Sequence, residues 1–224
     1  MPRLDVYLYQ EGYARSRSLA GRLVRGGLKL EAALSAFGVS PEGKACADIG
    51  ASTGGFTDCL LKRGAREVYA IDSGIGQLHE SLLSDPRVHS IEHFNAREMD
   101  LSTTDGYCDI AVADVSFISQ TYIIPSVSRV LADGGIFVSL VKPQFEAGRS
   151  ALGKNGIVTS AAYRFLAAKR VVTSAVENGF DCIGFIRSPI EGGDGNKEYL
   201  AYFIKKSCVE PKIDDKYLKR ITSL

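Results

Sequence analysis

The sequence predicts an α/β fold in which helices cover both faces of a mostly parallel sheet of seven strands. Apolar runs alternate with segments whose apolar residues recur every three or four positions. A glycine-rich turn follows the first apolar run, and the connection between the last two runs is short. Alternating strands and helices are typical of βαβ units and a parallel sheet. We therefore expect one doubly wound domain in the middle of the chain.

Seven apolar runs bounded by turn residues predict the strands. They span residues 45–50, 67–72, 87–93, 108–114, 135–142, 180–188 and 198–205. None approaches the roughly 18–20 apolar residues that a bilayer-spanning helix needs. Only residues 189–197 separate the last two runs, which permits an antiparallel hairpin but no crossover helix. One strand is therefore predicted to run antiparallel to the others.

Helical periodicity predicts five helices between these strands. They span residues 26–37, 54–63, 76–84, 120–132 and 161–178, and glycines follow several of them where helix ends are expected. Residues 142–158 lack either periodicity and are rich in Gly, Lys and Arg. A loop of this length inside a compact domain is usually functional. Its place after a strand predicts a substrate lid at the active edge of the sheet.

The glycine-rich turn predicts a ligand site. Residues 48–56 read Asp-Ile-Gly-Ala-Ser-Thr-Gly-Gly-Phe, at the end of the first strand and the start of a helix. Glycine has no Cβ and lets the backbone approach a bulky ligand, and the helix N-terminus adds free N–H groups. Asp72 ends the second strand, where doubly wound folds hydrogen-bond a ribose. The expected ligand is a nucleoside-containing cofactor.

The turn also narrows the choice of cofactor. It matches neither the G-x-G-x-x-G dinucleotide pattern nor a P-loop ending in Gly-Lys-Ser/Thr. An acidic residue, Asp48, and the lack of a nearby lysine suit a cationic ligand such as S-adenosylmethionine. Seven strands ending in an antiparallel pair are the architecture of Rossmann-like class I methyltransferases, which favours the methyl donor over a nicotinamide. The alternative is a turn that only lets the helix pack closely on the sheet.

Composition and charge limit the remaining possibilities. The five cysteines are scattered without C-x-x-C spacing, and the three histidines form no metal-binding pattern. Residues 1–30 carry a net charge of +4, residues 205–224 carry +3, and the part between them carries −6. Basic ends suggest contacts with a polyanion such as nucleic acid, although solvated termini would look the same. The N-terminus does not resemble a signal peptide, so we expect a cytoplasmic protein.

Four ionisable residues fall at the margins of predicted elements. Asp114 ends the fourth strand, Lys142 ends the fifth, Glu198 begins the seventh, and Lys29 lies on the helix before the first strand. Such groups are costly to desolvate unless they are paired, so alternating charges around one cleft would satisfy each other. Ordinary solvation of strand ends is the alternative for each residue taken alone.

This set of charges suits methyl transfer to an unreactive hydroxyl. Lys142 would orient the hydroxyl and stabilise the developing alkoxide, and in its neutral form it could accept the proton. Asp114 and Glu198 would hold the ammonium group, and Lys29 would contact the acceptor and its phosphate.

Several motifs in order resemble one known family. Besides the glycine turn, the chain reads Arg-Gly-Gly-Leu-Lys-Leu-Glu at 25–31, Ala-Asp-Val-Ser-Phe-Ile-Ser at 113–119, Val-Lys-Pro-Gln-Phe-Glu-Ala-Gly at 141–148, and Ser-Pro-Ile-Glu-Gly-Gly-Asp-Gly-Asn-Lys-Glu-Tyr-Leu at 188–200. Over about residues 24–206 the chain resembles the hemolysin A-type (TlyA) family of FtsJ-like ribosomal RNA 2′-O-methyltransferases.

The resemblance implies both an activity and a site. Family members methylate cytidine ribose hydroxyls in ribosomal RNA, so the expected partners are ribosomal RNA or ribosomal subunits. The catalytic tetrad carries over to Lys29, Asp114, Lys142 and Glu198. The implied cofactor site has Asp72 at the ribose and Asn95 and Phe117 near the adenine. Its full set is Asp48, Gly50, Ser52, Gly54, Gly55, Phe56, Asp72, Asn95, Asp114 and Phe117.

The N-terminus departs from the family pattern. Residues 1–25 resemble the first two helices of an αL-type RNA-binding module, but its strands and linker are not found before the methyltransferase helix. The expected organisation is a partial RNA-binding segment at 1–25, a methyltransferase domain at 26–206 and a basic tail at 207–224.

Three other functions compete with this interpretation. A membrane-active hemolysin would need a spanning or strongly amphipathic segment, and the sequence offers none. A non-catalytic RNA-binding scaffold would not need two buried lysines. A nicotinamide oxidoreductase is disfavoured by the missing dinucleotide pattern.

Overall fold

The fold is built around a seven-stranded sheet with the strand order β3-β2-β1-β4-β5-β7-β6. The computed structural model describes residues 17–192, 195–206 and 213–224. The strands are β1 (Ala45–Ile49), β2 (Glu67–Ile71), β3 (Val88–Ile91), β4 (Cys108–Ala113), β5 (Leu131–Val141), β6 (Phe180–Arg187) and β7 (Tyr199–Lys205). Strands β1 to β5 pair in parallel, and β7 lies antiparallel to both β5 and β6. The predicted sheet with one antiparallel strand is confirmed.

Seven α-helices in the described residues cover the two faces of this sheet. They are α1 (Arg17–Phe37), α2 (Gly55–Lys62), α3 (Glu80–Leu83), α4 (Ile124–Val130), α5 (Pro143–Glu146), α6 (Ala161–Glu177) and α7 (Asp215–Ser223). Leu34 of α1 and Leu60 of α2 belong to one buried apolar cluster. Val127 of α4 and Val171 of α6 belong to another. Helices on both faces are therefore confirmed.

Side-chain alternation along the strands separates the two clusters. In β5, Phe137 belongs to the cluster with α4 and α6, and Val138 belongs to the cluster with α1 and α2. Successive strand residues point to opposite faces of the sheet. A central parallel strand is buried on both faces, which explains why the predicted strands read as continuous apolar runs.

Two predicted helices are shorter than expected. The segment 76–84 forms only the single turn α3, because the chain before it folds back and His93 N donates to Gly74 O at 3.0 Å. The segment 120–132 begins as a 3₁₀ turn, Gln120–Tyr122, and then forms α4. Strand β5 begins directly at Leu131, and its pairing with β4 shifts register between Cys108 and Ile110.

The two ends of the chain also differ from expectation. Helix α1 begins at Arg17 and runs without interruption through the predicted helix 26–37, while residues 1–16 of the predicted RNA-binding segment lie outside the described residues. The predicted tail contains α7, a helix that is not among the five predicted ones. Leu218 of α7 is buried in the core, and Arg164 Nε donates to Thr222 O at 3.0 Å.

Within these described residues, no helix combines the length and apolarity needed to cross a bilayer.

Candidate active site

A cavity of about 660 Å³ opens at the carboxyl ends of β1, β2 and β4. This is the edge at which doubly wound sheets bind ligands, and the volume lies within the range of about 300–1,000 Å³ that is usual for small-molecule sites. The predicted residues that line it are Lys29, Gly50, Ser52, Gly55, Phe56, Asp72, Asn95, Asp114, Phe117 and Lys142. Asp48, Gly54 and Glu198 are not among the lining residues.

The glycine turn brings the backbone up to this cavity. Gly50 has φ 81°, and a Cβ at this position would lie 2.8 Å from Asp114 O. Both the left-handed backbone and the close contact require glycine here. Ser52 also has a positive φ, 48°. The turn is therefore held in a conformation that exposes its backbone to the cavity.

The next two glycines serve helix packing. Gly54 has φ 92°, and a Cβ there would overlap the side chain of Leu82 in α3. A Cβ at Gly55 would lie 2.8 Å from Leu23 O and 3.1 Å from Gly26 Cα, because α2 starts against α1. Gly55 lines the cavity as well, whereas Gly54 faces the leucines. Gly54 therefore fits the alternative interpretation of the turn, in which a glycine only allows close packing of a helix.

Asp72 fixes the turn and reaches the cavity. Its Oδ2 accepts a hydrogen bond from Ser52 N at 2.8 Å, and its Oδ1 accepts one from Gly74 N at 2.7 Å. Ser52 Oγ donates to Gln77 Oε1 at 3.1 Å, which brings Gln77 over the same turn. Each carboxylate oxygen has a further lone pair available, so Asp72 can still accept from a ribose hydroxyl.

Asp48 lies beneath the turn and is fully buried. Thr57 Oγ1 donates to its Oδ2 at 2.6 Å, and Oδ1 has no hydrogen-bond partner among the described residues. Burial is the main cause that raises the pKa of Asp48 to about 7, and the hydrogen bond from Thr57 partly opposes it. Asp48 therefore supports the turn from within the core.

Lys142 and Asp114 form an ion pair at the cavity wall. Lys142 Nζ lies 2.6 Å from Asp114 Oδ1 and donates to Ser116 Oγ at 2.8 Å. Both residues follow strands that are parallel neighbours, β4 and β5, which is why they meet. The Lys142 side chain is 10% exposed and that of Asp114 is 23% exposed. The lysine thus has two partners at the margin of the cavity.

Lys29 and Glu198 form a second, more deeply buried pair. Lys29 Nζ donates to Glu198 Oε2 at 2.6 Å. Gly192 lies against this carboxylate so closely that a Cβ at residue 192 would overlap it. The four predicted ionisable residues are therefore arranged as two pairs, with Lys29 and Lys142 lining the cavity and Glu198 behind Lys29.

Asn95 and Phe117 both line the cavity but differ in setting. Asn95 Oδ1 accepts from Arg97 N at 3.3 Å and caps the 3₁₀ turn Ala96–Glu98. Phe117 is 93% exposed and has a left-handed backbone with φ 64°. The centres of the Phe117 and Phe145 rings lie 5.3 Å apart. Lys142 Nζ lies 5.9 Å from the centre of the Phe145 ring. Phe117 therefore stands on the Lys142 side of the site.

Sequence reasoning missed several residues that shape this site. They are Gln77, Ser116, Phe145, Glu146 and Gly192. All lie in the motifs at 113–119, 141–148 and 188–200 or just after Asp72. Their positions could have identified them, since each lies within a few residues of a predicted strand end. Segment 142–158, predicted to be a loop, contains α5 and the 3₁₀ turns Arg149–Ala151 and Lys154–Gly156.

Comparison with known proteins identifies relatives across this domain. The FtsJ-like methyltransferase family matches residues 23–205. Hemolysin A of Brachyspira hyodysenteriae is 40% identical, over 90% of this chain and 99% of that protein. A 16S/23S rRNA (cytidine-2′-O)-methyltransferase TlyA of Mycobacterium tuberculosis is 43% identical, over 80% of this chain and 66% of its own length. The alignment thus leaves about a third of that methyltransferase uncovered.

A solved structure extends the similarity to three dimensions. A candidate hemolysin from Streptococcus thermophilus superposes with a TM-score of 0.84 at 38% identity, covering 99% of this chain and 94% of that one. The family match, the close relatives and the sheet with its antiparallel strand all agree. The chain belongs to the FtsJ-like methyltransferase family, in the group that includes the hemolysin A and TlyA proteins.

Proposed function

We propose that this protein transfers a methyl group from S-adenosylmethionine to a ribose 2′-hydroxyl of ribosomal RNA, with cytidine as the expected nucleotide. The observation that carries the proposal is the arrangement of two lysine–carboxylate pairs beside a nucleoside-sized cavity. One pair presents Lys142 to the cavity and the other presents Lys29. Because both lysines lie beside the glycine turn, a site for the methyl donor would adjoin a site for the methyl acceptor.

The residues around the cavity fit the proposed cofactor. Gly50 offers backbone that no side chain covers, and Asp72 offers carboxylate oxygens at the end of β2. Apolar side chains of Phe94, Ile118 and Ile123 line the cavity together with Asn95 and would suit an adenine ring. The nearby carboxylates Asp72 and Asp114 match the positive charge of a sulfonium ligand.

Lys142 is the residue proposed to act on the acceptor. S-adenosylmethionine supplies an electrophilic methyl group when it is bound. An ammonium group has three N–H donors. Lys142 donates one to Ser116 and pairs its charge with Asp114, which leaves an N–H for an acceptor oxygen. That donor orients the ribose hydroxyl and stabilises negative charge as it develops on the oxygen. In the alternative form of the proposal, an unprotonated Lys142 takes the hydroxyl proton as the methyl group is transferred.

Lys29 and Glu198 would hold the rest of the acceptor nucleotide. Lys29 lines the cavity from α1, and its ammonium is fixed by the buried Glu198 carboxylate. Arg25 lies one helical turn earlier on the same face of α1 and also lines the cavity. Two cations at this margin suit the phosphates beside the acceptor ribose.

Phe117 is proposed to contact a nucleobase. The family resemblance implies a place near the adenine of the cofactor, but the ring is exposed beside Phe145 and Lys142. Exposed aromatic rings in RNA-binding sites stack on unpaired bases. We therefore assign Phe117 to the base of the acceptor nucleotide, and Asn95 with its apolar neighbours to the cofactor side.

The substrate class is proposed from the relatives. The M. tuberculosis relative is named for methylation of 16S and 23S ribosomal RNA, and that name describes the relative. The basic ends of this chain, +4 over residues 1–30 and +3 over residues 205–224, suit such a polyanion. A ribosomal substrate would also place the protein in the cytoplasm.

The test is methyl transfer from labelled S-adenosylmethionine to purified 30S subunits, 50S subunits and protein-free ribosomal RNA. We expect incorporation at a cytidine ribose, located by nuclease digestion and mass spectrometry, and a loss of at least about 10³-fold in Lys142→Ala. The matched control is Lys62→Ala, which removes an exposed lysine of α2. Equal incorporation in Lys142→Ala and wild type would contradict the mechanism. Failure of the wild type to bind the cofactor in calorimetry would contradict the function.

The same preparations separate this function from the membrane-active alternative suggested by the name of the B. hyodysenteriae relative. Erythrocyte lysis by the purified wild type that persists in Lys142→Ala would favour a membrane-active protein. We expect no lysis by either protein.

A further inference from the structure

Glu146, the last residue of α5, is an acidic side chain buried at the active edge of the sheet. It is only 2% exposed. Its Oε2 accepts from Ser119 Oγ at 2.5 Å, and its Oε1 accepts from Gln120 N at 2.7 Å. None of the ion pairs among the described residues includes it. The hydrogen bonds of its carboxylate therefore both come from the segment that follows β4.

A buried carboxylate of this kind is costly. Removing a charge from water costs several kcal/mol unless a counterion compensates for it. Burial raises the pKa of Glu146, and the hydrogen bonds from Ser119 and Gln120, together with the positive charge of Arg170, oppose that effect. A small apolar residue at this position would avoid the desolvation cost. The two hydrogen bonds that the carboxylate accepts from Ser119 and Gln120 therefore have to offset this cost.

Glu146 is the outermost of three bridges between two short segments. One segment is residues 114–120 after β4, and the other is residues 142–146 after β5. Lys142 meets Asp114 and Ser116, and the ring of Phe145 lies 5.3 Å from that of Phe117. The carboxylate of Glu146 then binds Ser119 and Gln120. The two segments are thus joined side by side by three sets of contacts.

The inner and outer bridges flank a residue with an unfavourable backbone conformation. Phe117 has φ 64°, which costs of the order of 1 kcal/mol or more for a residue with a side chain. This residue lies between Ser116, bound to Lys142, and Ser119, bound to Glu146. From the other side, Arg170 Nη1 of α6 donates to Glu146 O at 3.1 Å and anchors α5 itself. The strained residue is therefore fixed at both ends.

We infer that Glu146 is a positioning residue for methyl transfer, which holds segment 114–120 against Lys142 so that the Lys142 ammonium, the Asp114 carboxylate and the Phe117 ring stay in place at the acceptor side. This inference rests on the proposed function. It assigns Glu146 no contact with cofactor or acceptor, and its effect passes through Ser119 and Gln120.

The test compares Glu146→Ala, Glu146→Gln and a matched control, Lys205→Met. Lys205 is also buried and charged, and it donates to Ser128 O and Leu131 O near the opposite edge of the sheet. Steady-state methyl transfer is measured well below the melting temperature of every variant, together with cofactor affinity. Hydrogen–deuterium exchange is measured on peptides covering residues 114–120.

We expect Glu146→Ala to lower kcat by about 10²-fold, the loss that a misplacement of about 1 Å can cause. The Kd of the cofactor should change less than about threefold, and the loss in kcat should exceed any rise in the KM for RNA, because Lys142 acts mainly on the transition state. The glutamine amide can accept from Gln120 N and donate to Ser119 Oγ, so Glu146→Gln should keep kcat within about threefold of wild type. Lys205→Met should lose stability without losing kcat.

Several results would overturn the inference. One is a kcat of Glu146→Ala that equals that of Lys205→Met, and another is a glutamine variant as slow as the alanine variant. Unchanged exchange at 114–120 in Glu146→Ala would also refute the bridge, whatever the activity. If exchange rises there but the wild type methylates no RNA, the bridge stands and the proposed function fails.

Discussion

Lys142 and Asp114 follow two neighbouring parallel strands, and the lysine ammonium lies 2.6 Å from the aspartate carboxylate. Parallel strands end at the same edge of a sheet, so charges placed just after β4 and β5 must meet there. Ser116 gives the ammonium a second partner, which leaves its direction well defined. The topology of the sheet and the Ser116 hydroxyl thus together position the Lys142 ammonium in the site.

The first prediction concerns the buried pair of Lys29 and Glu198. Glu198→Gln leaves the Lys29 charge buried without its partner, so we expect the free energy of unfolding to fall by about 3–5 kcal/mol. Methyl transfer should fall by at least about 10²-fold at a temperature where the variant remains folded. Urea unfolding followed by circular dichroism measures the first quantity. Lys29→Met combined with Glu198→Gln should recover part of the lost stability, and full additivity of the two losses would contradict the pairing.

The second prediction concerns the glycine that covers Glu198. In Gly192→Ala the new Cβ would overlap the Glu198 carboxylate and push it away from Lys29. We expect a fall in kcat of about 10-fold or more, with the cofactor Kd within about threefold of wild type. The control is Gly153→Ala, where the nearest atom would be Ile157 O at 3.2 Å. Equal activity of both variants and wild type would show that Glu198 tolerates the added methyl group.

The third prediction concerns the pH dependence of stability. Burial raises the pKa of Asp48 to about 7, well above the value of about 4 in an unfolded chain. Between those values the unfolded chain loses the Asp48 proton and the folded protein keeps it, so Asp48 makes the fold less stable as pH rises from about 4 to 7. Asp48→Asn lacks this penalty. Its stability relative to wild type should therefore increase with pH, by up to about 4 kcal/mol between pH 4 and pH 8.

Urea unfolding of both proteins at several pH values measures this difference. The comparison between variant and wild type cancels the contributions of the other carboxylates. A difference that stays constant from pH 4 to pH 8 would mean that Asp48 titrates normally in the folded protein.

The fourth prediction tests whether Phe117 contacts the base of the acceptor nucleotide or the adenine of the cofactor. We expect Phe117→Ala to reduce kcat/KM for RNA by about 10-fold, since stacking on a base contributes about 1–3 kcal/mol. The Kd of the cofactor should stay within about twofold, and stability should not change because the ring is exposed. Tyr122→Ala removes another exposed aromatic ring nearby in the chain and serves as the control. A tenfold weaker cofactor with unchanged use of RNA would instead place Phe117 at the adenine.

Much of this molecule could be predicted from local sequence. Apolar runs, helical periodicity and the short connection at 189–197 predicted seven strands with one antiparallel strand. The glycine turn and the strand-end charges predicted which edge carries the site. Local patterns failed where the chain departs from periodicity, as in the shortened helix α3. They also missed α7, whose Leu218 is buried against helices and strands far away in the chain.

The sequence by itself determined the fold class, the position of the glycine turn at Gly50 and the presence of four charged residues at element margins. These features depend on patterns within a few residues. Only the tertiary structure decided that the charges form two separate pairs, that Gly54 packs against Leu82 instead of lining the cavity, and that Glu146 bridges to Ser119. Each of these depends on segments that are distant in the chain and meet only when the sheet forms, because pairing, overlap and burial are properties of the packed fold.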